Sequence, residues 1–283
     1  MEEWRMIKMK ITVLVENSTS CRLYGEHGLS VYIEYDGKKY LLDTGASTLF
    51  AKNAKELGIS LADIDTAFLS HAHYDHSGGF EAFFKENDKA EVYMQDTSAE
   101  NCYFRTETGD KYIGIPVQLL EAYKERFHTL HTVCEVEKGV WAVPHSTENL
   151  DGMGRRAHMY RKVGDEFIAD DFAHEQSIVF ETEKGLVIFN SCSHGGIANI
   201  VREVQNAFAG KKIYAVIGGF HMMNHPAAQR WRTRLRFHPR QRLLRARGME
   251  RQQRAVRGTT ALHHWRDRWR RSALRRRSRS GTR

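Results

Sequence analysis

Six consecutive residues, His71-Ala72-His73-Tyr74-Asp75-His76, carry four side chains able to bind a metal ion. A neutral imidazole and a carboxylate are good ligands for first-row divalent metals. In extended chain, His71, His73 and Asp75 alternate to one side. A turn opening the next helix can swing His76 beside them. Three or four protein ligands with an open position is the catalytic arrangement, whereas structural zinc sites are usually closed and rich in cysteine. The cluster lacks that cysteine density. A solvated polar loop would explain a single histidine better than this grouping. His128 and His131 read as such surface residues.

Two further histidines stand where strands end. Cys192-Ser193-His194-Gly195-Gly196 follows an apolar strand at residues 186–189 and opens a helix. Gly218-Gly219-Phe220-His221 follows an apolar strand at 213–217. Sites on sheet proteins collect at the carboxyl ends of strands, and the glycines permit close approach of backbone or ligand. His174, in Asp171-Phe172-Ala173-His174-Glu175, fits a metal ligand and a polar strand-entry residue equally well.

The elements that must hold these residues follow from the hydrophobic pattern. Residues 11–16 and 29–35 are rich in Val, Ile and Tyr and predict strands. Asp36-Gly37 is a hairpin signal before a returning strand at 39–42. Leu49, Phe50, Ala54 and Leu57 predict a helix over 47–57 that stops at Gly58. Residues 66–69 form a short apolar strand leading into the histidine cluster. Ser77-Gly78-Gly79 opens a helix through Phe80, Phe83 and Phe84, and 91–94 is another strand. Later, 177–181 and 186–189 make a hairpin through Glu183-Lys184-Gly185, and 197–208 is an amphipathic helix. Residues 95–170 mix glycine, charge and aromatics around one clear strand at 140–143, and are expected to be an irregular insertion or lid. Strands outnumber helices in each half. The expectation is an α+β fold of two mixed sheets face to face with helices outside, not a doubly wound parallel sheet.

Charge divides the chain. Overall, 43 Lys+Arg stand against 35 Asp+Glu in 283 residues. Residues 229–283 hold 20 arginines, no lysine and only Glu250 and Asp267 as acids, a net of +18, which leaves −10 on residues 1–228. An acidic domain of 1–228 is therefore joined to an Arg-rich tail of 229–283. No apolar run approaches the roughly 18 residues of a membrane span. The start, with acids ahead of a short apolar stretch and no small-residue cleavage site, does not predict a signal peptide. Cys21, Cys102, Cys134 and Cys192 are scattered and form no CxxC, so a cytoplasmic location is expected.

Leu42-Asp43-Thr44-Gly45 followed by Ser70-His71-Ala72-His73-Tyr74-Asp75-His76-Ser77-Gly78-Gly79 resembles the metallo-β-lactamase superfamily. The Asn17 region, Gly28-Leu29-Ser30, Cys192-Ser193-His194 and Gly218-Gly219-Phe220-His221 are similar to one subgroup. That subgroup is named for 7,8-dihydropterin-6-methyl-4-(β-D-ribofuranosyl)aminobenzene-5′-phosphate synthase. The resemblance covers nearly all of residues 10–225 and implies a four-layer αββα sandwich with a one- or two-metal site on one edge. It implies His71 and His73 on a first metal and Asp75 and His76 on a second. His194 is the best candidate for a further ligand, with His174 and Cys192 as alternatives. It implies Asp43 behind the ligands as an orienting residue, although a plain turn residue fits equally. His221 would be a ligand or a substrate contact.

Members of the subgroup usually carry a late His-Cys-Thr-Gly motif before a last strand, and this chain has none. From about residue 227 lysine vanishes, arginine dominates and no periodicity remains, so the C-terminal part is expected to be irregular. Ala261-Leu262-His263-His264-Trp265 can be encoded so that reading one base later yields His-Cys-Thr-Thr-Gly. A frame-shifted C-terminus is therefore the favoured reading. A genuine nucleic-acid tail, with Trp231, Trp265 and Trp269 stacking among arginines, and a merely solvated tail are the alternatives.

The function expected is a divalent-metal-dependent enzyme, either a hydrolase or a dihydropterin-type transferase. One or two zinc ions fit, and Mn, Fe or Mg would also serve. Such ions would lower the pKa of water to about 7. Helix starts at Ser77 and Gly195 would favour an anionic substrate group, and Asp75 would help handle protons. The expected partner is a small anionic or ring-containing molecule. Nucleic acid enters only if the tail is in its native frame. A C-terminally altered, inactive product is the remaining alternative.

Overall fold

The computed structural model describes residues 9–18, 23–99 and 101–221. The Arg-rich tail and the frame question fall outside these residues. β1 (Lys10–Val15), β2 (Ser30–Tyr35) and β3 (Lys38–Leu42) form an antiparallel meander. Asp36 (φ 48°) and Gly37 (φ 80°) turn the β2–β3 hairpin, the paired left-handed conformation that a two-residue hairpin needs. After helix α1 (Leu49–Glu56) come β4 (Thr66–Phe68), a single turn α2 (Tyr74–Ser77), α3 (Phe80–Glu86) and β5 (Glu91–Gln95). β4 and β5 add in parallel to β3.

Residues 95–170 correct the expectation of an irregular insertion. They hold β6 (Asn101–Thr106), β7 (Gly109–Tyr112), α4 (Val117–Ala122), β8 (Phe127–Leu130), β9 (Cys134–Glu137), β10 (Val140–Pro144), α5 (Asp151–Ala157), β11 (Met159–Val163) and β12 (Glu166–Ala169). β13 (Gln176–Thr182), β14 (Gly185–Phe189), α6 (Ile197–Ala207) and β15 (Ile213–Ile217) complete the described chain. β8 closes a six-stranded sheet ordered β1-β2-β3-β4-β5-β8. β9 and β10 belong to a five-stranded sheet ordered β15-β14-β13-β10-β9. The other four strands make a small antiparallel sheet ordered β12-β11-β6-β7. These strands are short and only half-buried, and β6 pairs with the distant β11, so no local alternation of pattern announces them.

Three apolar layers hold the sandwich together. Val31, Ile33, Tyr35, Tyr40 and Leu42 meet Ile178, Phe180, Val187 and Phe189 between the two large sheets. Tyr32 and Leu41, on the opposite face of the same strands, pack under Phe50, Ala54, Phe80 and Phe83 of the helices. On the far side, Ile188 and Val179 pack against Ile200, Val204 and Phe208. Both faces of each central strand are thus covered. The large sheets and their helices form the four-layer αββα arrangement, with the third sheet added. No helix among the described residues is long and apolar enough to cross a membrane.

The topology fixes where a site can form. β3, β4, β14 and β15 end at one edge. β13, antiparallel to β14 and β10, begins there: its first residue Gln176 pairs with Pro144, the last of β10. Asp43, the 70–76 segment, His145, residues 174–176, residues 190–194 and residues 218–221 therefore converge. The approach of β15 to β14 is tight: a Cβ at Gly218 (φ 145°) would stand 1.6 Å from the Asn190 carbonyl oxygen.

One buried ion pair locks α6 to this edge. His145 Nδ1 lies 2.8 Å from the Glu203 carboxylate, which also accepts Ser146 N–H, Thr147 N–H and the Thr147 hydroxyl. Burial pulls the His145 pKa down, but Glu203 and Glu175 outweigh it and the net direction is up from 6.5. Burial pushes Glu203 up, but His145 and Thr147 outweigh that and hold it below 4.5. The raised histidine contributes stability below its unfolded pKa and loses it as pH rises through the folded value. The depressed glutamate contributes above its unfolded pKa and loses it as pH falls. The stability difference between wild type and Glu203→Gln, measured by urea denaturation, is expected to be largest between pH 4.5 and 6.5. It should shrink as the pH climbs; a difference flat from about pH 5 to pH 9 would remove the pair from the account.

Candidate metal centre

The site is built on Asp43, a fully buried carboxylate immediately after β3. Its φ of 57° is left-handed, a conformation that Asp tolerates better than most residues. Oδ1 accepts Ser70 N–H at 2.7 Å. Oδ2 accepts the Ser70 hydroxyl at 2.7 Å, the Ser191 hydroxyl at 2.5 Å and His76 Nδ1 at 2.7 Å. The Ser70 hydroxyl oxygen in turn lies 2.8 Å from His71 Nδ1. With the Nδ1 atoms of both rings turned toward this network, the Nε2 atoms of His71 and His76 face away from Asp43. That is the orientation a carboxylate gives to metal-ligating histidines.

His71, His73 and His194 form a nearly equilateral triangle of rings, with centroids 4.6, 4.8 and 4.9 Å apart. The Nε2 atom of each is buried and has no hydrogen-bond partner among the described residues. Leaving one such atom unpaired costs about 1–3 kcal/mol, so three on neighbouring rings mark a place built for something else. Burial holds all three rings well below the usual histidine range, His73 at about 3. They are therefore neutral, the form that binds metal. Donor atoms of His71, His194 and Cys192 lie within 4.8 Å of one another. These residues fit a divalent ion.

Beside the triangle, His76 Nε2 is 3.1 Å from Cys192 Sγ and 3.5 Å from Asp75 Oδ2. Burial opposes charge on His76, yet Cys192, Asp43 and Asp75 together raise it well above its usual pKa. Burial would raise Asp75, but His76 overrides it and holds the carboxylate ionised. Burial raises the Cys192 thiol, with His76 opposing. The negative groups around His76 are an electrostatic match for a second cation. Asp75 reaches this position from the turn of α2, not by strand alternation: His73 is the last extended residue, at φ −96° and ψ 146°.

The remaining candidates fall differently. His221 stacks on His194 at 4.5 Å; burial, then His76, lowers its pKa. His174 lies near His73, at a ring distance of 5.3 Å, but both of its nitrogens are engaged within the protein. Nδ1 accepts Ala72 N–H at 3.2 Å and Nε2 meets Asp170 Oδ2 at 3.1 Å. The expected anion site at Gly195 is corrected: the N–H groups of His194 and Gly195 donate to Glu175. Helix α3 starts at Phe80, so Ser77 closes the preceding turn instead of opening a helix. His128 and His131 pair at the surface with Glu91 and Asp96.

Sequence reasoning missed four contributors. His27 Nε2 stands 3.3 Å from Asp75 Oδ2, brought there because a Cβ at Gly28 (φ 130°) would come within 2.0 Å of the Asp75 carbonyl oxygen. Cys102, Asp170 and Glu175 are fully or almost fully buried. Only the run Asp170-Asp171, four residues ahead of His174-Glu175, offered a signal.

Replacing Asp43 by Asn removes the carboxylate that holds His76 and turns an NH2 toward at least one of its four donors, so the network can no longer satisfy them all. Competitive chelator titration of Asp43→Asn is expected to show metal affinity lower by ~10–100-fold. An unchanged affinity would show that Asp43 does not orient the ligands.

Comparison with known proteins agrees with this geometry. Residues 23–176 match the model of the metallo-beta-lactamase superfamily. The 7,8-dihydropterin-6-methyl-4-(beta-D-ribofuranosyl)-aminobenzene-5′-phosphate synthase of Methanocaldococcus jannaschii is 28% identical over 236 residues, 76% of this chain and 78% of that protein. A second, uncharacterized protein of the same organism is 27% identical over 221 residues, 75% of this chain and 79% of that one. The crystal structure of Tm1679, a metal-dependent hydrolase of the beta-lactamase superfamily, superposes with a TM-score of 0.65 at 29% identity, covering 80% of this chain and 81% of that one. With a family match over more than half its length, on the fold and the histidine cluster just described, the chain belongs to the metallo-beta-lactamase superfamily.

Proposed function

We propose that the chain is a divalent-metal-dependent enzyme acting on a small anionic or ring-containing substrate. His71, His73 and His194 would hold one ion, and Asp75, His76 and Cys192 a second. The observation that carries this reading is three buried imidazole nitrogens without a hydrogen-bond partner among the described residues, on rings whose centroids lie 4.6, 4.8 and 4.9 Å apart. When bound, the ions supply Lewis acidity toward a substrate oxygen and make water more acidic. Zinc suits the mixed imidazole, thiol and carboxylate donors best; manganese, iron and magnesium are separable from it by metal analysis.

The protein's own groups would divide the remaining work. Asp43 orients the rings of His71, through Ser70, and of His76. Asp75 is kept ionised by His76, and the exposed His27 meets the same oxygen, Oδ2, so Asp75 is the group placed to handle a proton. His221, against His194, would contact substrate. Tyr103 on the third sheet packs on Tyr112 at 5.4 Å and on Phe167 at 5.2 Å, a half-buried aromatic row suited to a flat ring. The scattered cysteines support a cytoplasmic location.

Two reactions share this site chemistry. Similarity to the Methanocaldococcus synthase supports a dihydropterin-type transfer, and similarity to Tm1679 supports a metal-dependent hydrolysis, for which a phosphate ester is the bond proposed here. Full-length protein loaded with zinc or manganese should be assayed in two ways. One uses a chromogenic phosphodiester; the other uses a dihydropterin donor with a ribofuranosylaminobenzene phosphate. Turnover in one of the two is expected. Chelation should abolish it, and His194→Ala should reduce it by more than the ~10–100-fold cost of losing an outer-shell partner. Turnover in neither assay, or turnover that survives chelation, would contradict the proposal.

A further inference from the structure

Three consecutive residues, His174-Glu175-Gln176, touch both loops that carry the proposed ligands. His174 Nδ1 accepts the N–H of Ala72, the residue between His71 and His73, at 3.2 Å. Glu175 Oε1 and Oε2 accept the N–H groups of His194 at 3.0 Å and Gly195 at 2.8 Å. Gln176 N–H donates to the Ser70 carbonyl at 2.8 Å, and its side-chain amide donates to the Leu69 carbonyl at 2.8 Å. All three residues are buried. They form the entry to β13, so they are fixed to the five-stranded sheet, whereas residues 69–73 leave the six-stranded one.

Both nitrogens of the His174 ring are engaged within the protein: Nδ1 lies 3.2 Å from Ala72 N–H and Nε2 lies 3.1 Å from Asp170 Oδ2. Asp170 is itself steadied by Phe172 N–H on Oδ1 at 2.8 Å. Donor atoms of His73, Cys102, Asp170 and His174 also lie within 4.8 Å of one another, but the contacts with Ala72 and Asp170 occupy the His174 ring. The Nε2 atoms of His71, His73 and His194, by contrast, have no hydrogen-bond partner among the described residues. Glu175 acts likewise on the opposite loop. Its carboxylate spans two successive amides and so fixes the direction in which the His194 side chain leaves the backbone.

We infer that His174 and Glu175 are positioning residues, not metal ligands: together they set the spacing of the His71/His73 pair against His194. The inference rests on the metal-centre reading above and gives the two residues a role that the spacing of the sequence leaves open. Asp170 completes it by holding the His174 ring through Nε2.

The test uses full-length protein reconstituted with cobalt(II) alone, whose visible spectrum reports ligand geometry and whose content is counted per chain. His174→Gln keeps an acceptor for Ala72 and a donor for Asp170 but removes the imidazole. It is expected to bind cobalt in wild-type stoichiometry with a wild-type spectrum. His174→Leu removes both bonds and is expected to shift the spectrum and weaken binding by ~10–100-fold, the usual cost of an outer-shell loss. Glu175→Gln turns an NH2 toward one of two amide donors and is expected to shift the spectrum without changing stoichiometry. Loss of cobalt in His174→Gln as complete as in His71→Ala would make His174 a ligand and overturn the inference. A wild-type spectrum in Glu175→Gln would overturn its second half. His71→Ala separates the two levels: if it binds cobalt as wild type does, the metal-centre reading itself fails.

Discussion

The arrangement depends on one buried negative charge. Asp43 is fully buried, and among the described residues its ion-pair partner is His76; its carboxylate is met by four hydrogen-bond donors from Ser70, His76 and Ser191. Each of those donors belongs to, or adjoins, a residue of the proposed metal centre: Ser70 leads to His71, His76 is itself a candidate ligand, and Ser191 precedes Cys192. A buried carboxylate costs several kcal/mol unless it is paired and hydrogen-bonded. The same bonds that make Asp43 tolerable therefore fix the rings around it. The parallel order β3-β4 makes this possible, because two neighbouring strands that end at the same edge deliver Asp43 and Ser70 side by side.

The five-stranded sheet answers from the other side. β14 and β15 end in tight loops that present Cys192, His194 and His221, and the start of β13 ties the two sides together through residues 174–176. Few loops at this edge are left to their own side chains. The 190–194 turn is held by Asn190, whose side-chain oxygen accepts Ser193 N–H at 2.7 Å. The 145–147 turn is held by Glu203. Rigid support of this kind keeps ligand atoms within the narrow tolerance that metal chemistry demands.

How much of this the sequence disclosed varied with the range of the interaction. The His71–His76 cluster was legible because its residues are adjacent and follow an apolar strand. Most of the two large sheets, β8 and β9 excepted, and their helices were legible because buried strands and α6 keep clean apolar patterns. The third sheet was not: β6, β7, β11 and β12 are short and half-exposed, and the pairing that joins their two hairpins, β6 with β11, links segments far apart in the chain. Alternation placed Asp75 beside His71 and His73 for the wrong reason, since the chain already coils at Tyr74. His27 and Glu175 act through contacts between distant segments, and nothing in their immediate neighbours marks them. The apparent anion site at Gly195 failed on the same account, because its amides are taken by a carboxylate 20 residues away.

The central claim is that the unpaired Nε2 atoms of His71, His73 and His194 are metal ligands. X-ray absorption at the metal edge of the loaded full-length protein tests it most directly. The account predicts a first shell dominated by nitrogen, with the outer-shell scattering of several imidazole rings at each ion, and loss of part of that pattern in His73→Ala. A shell of oxygen atoms without imidazole scattering, identical in wild type and His73→Ala, would contradict it.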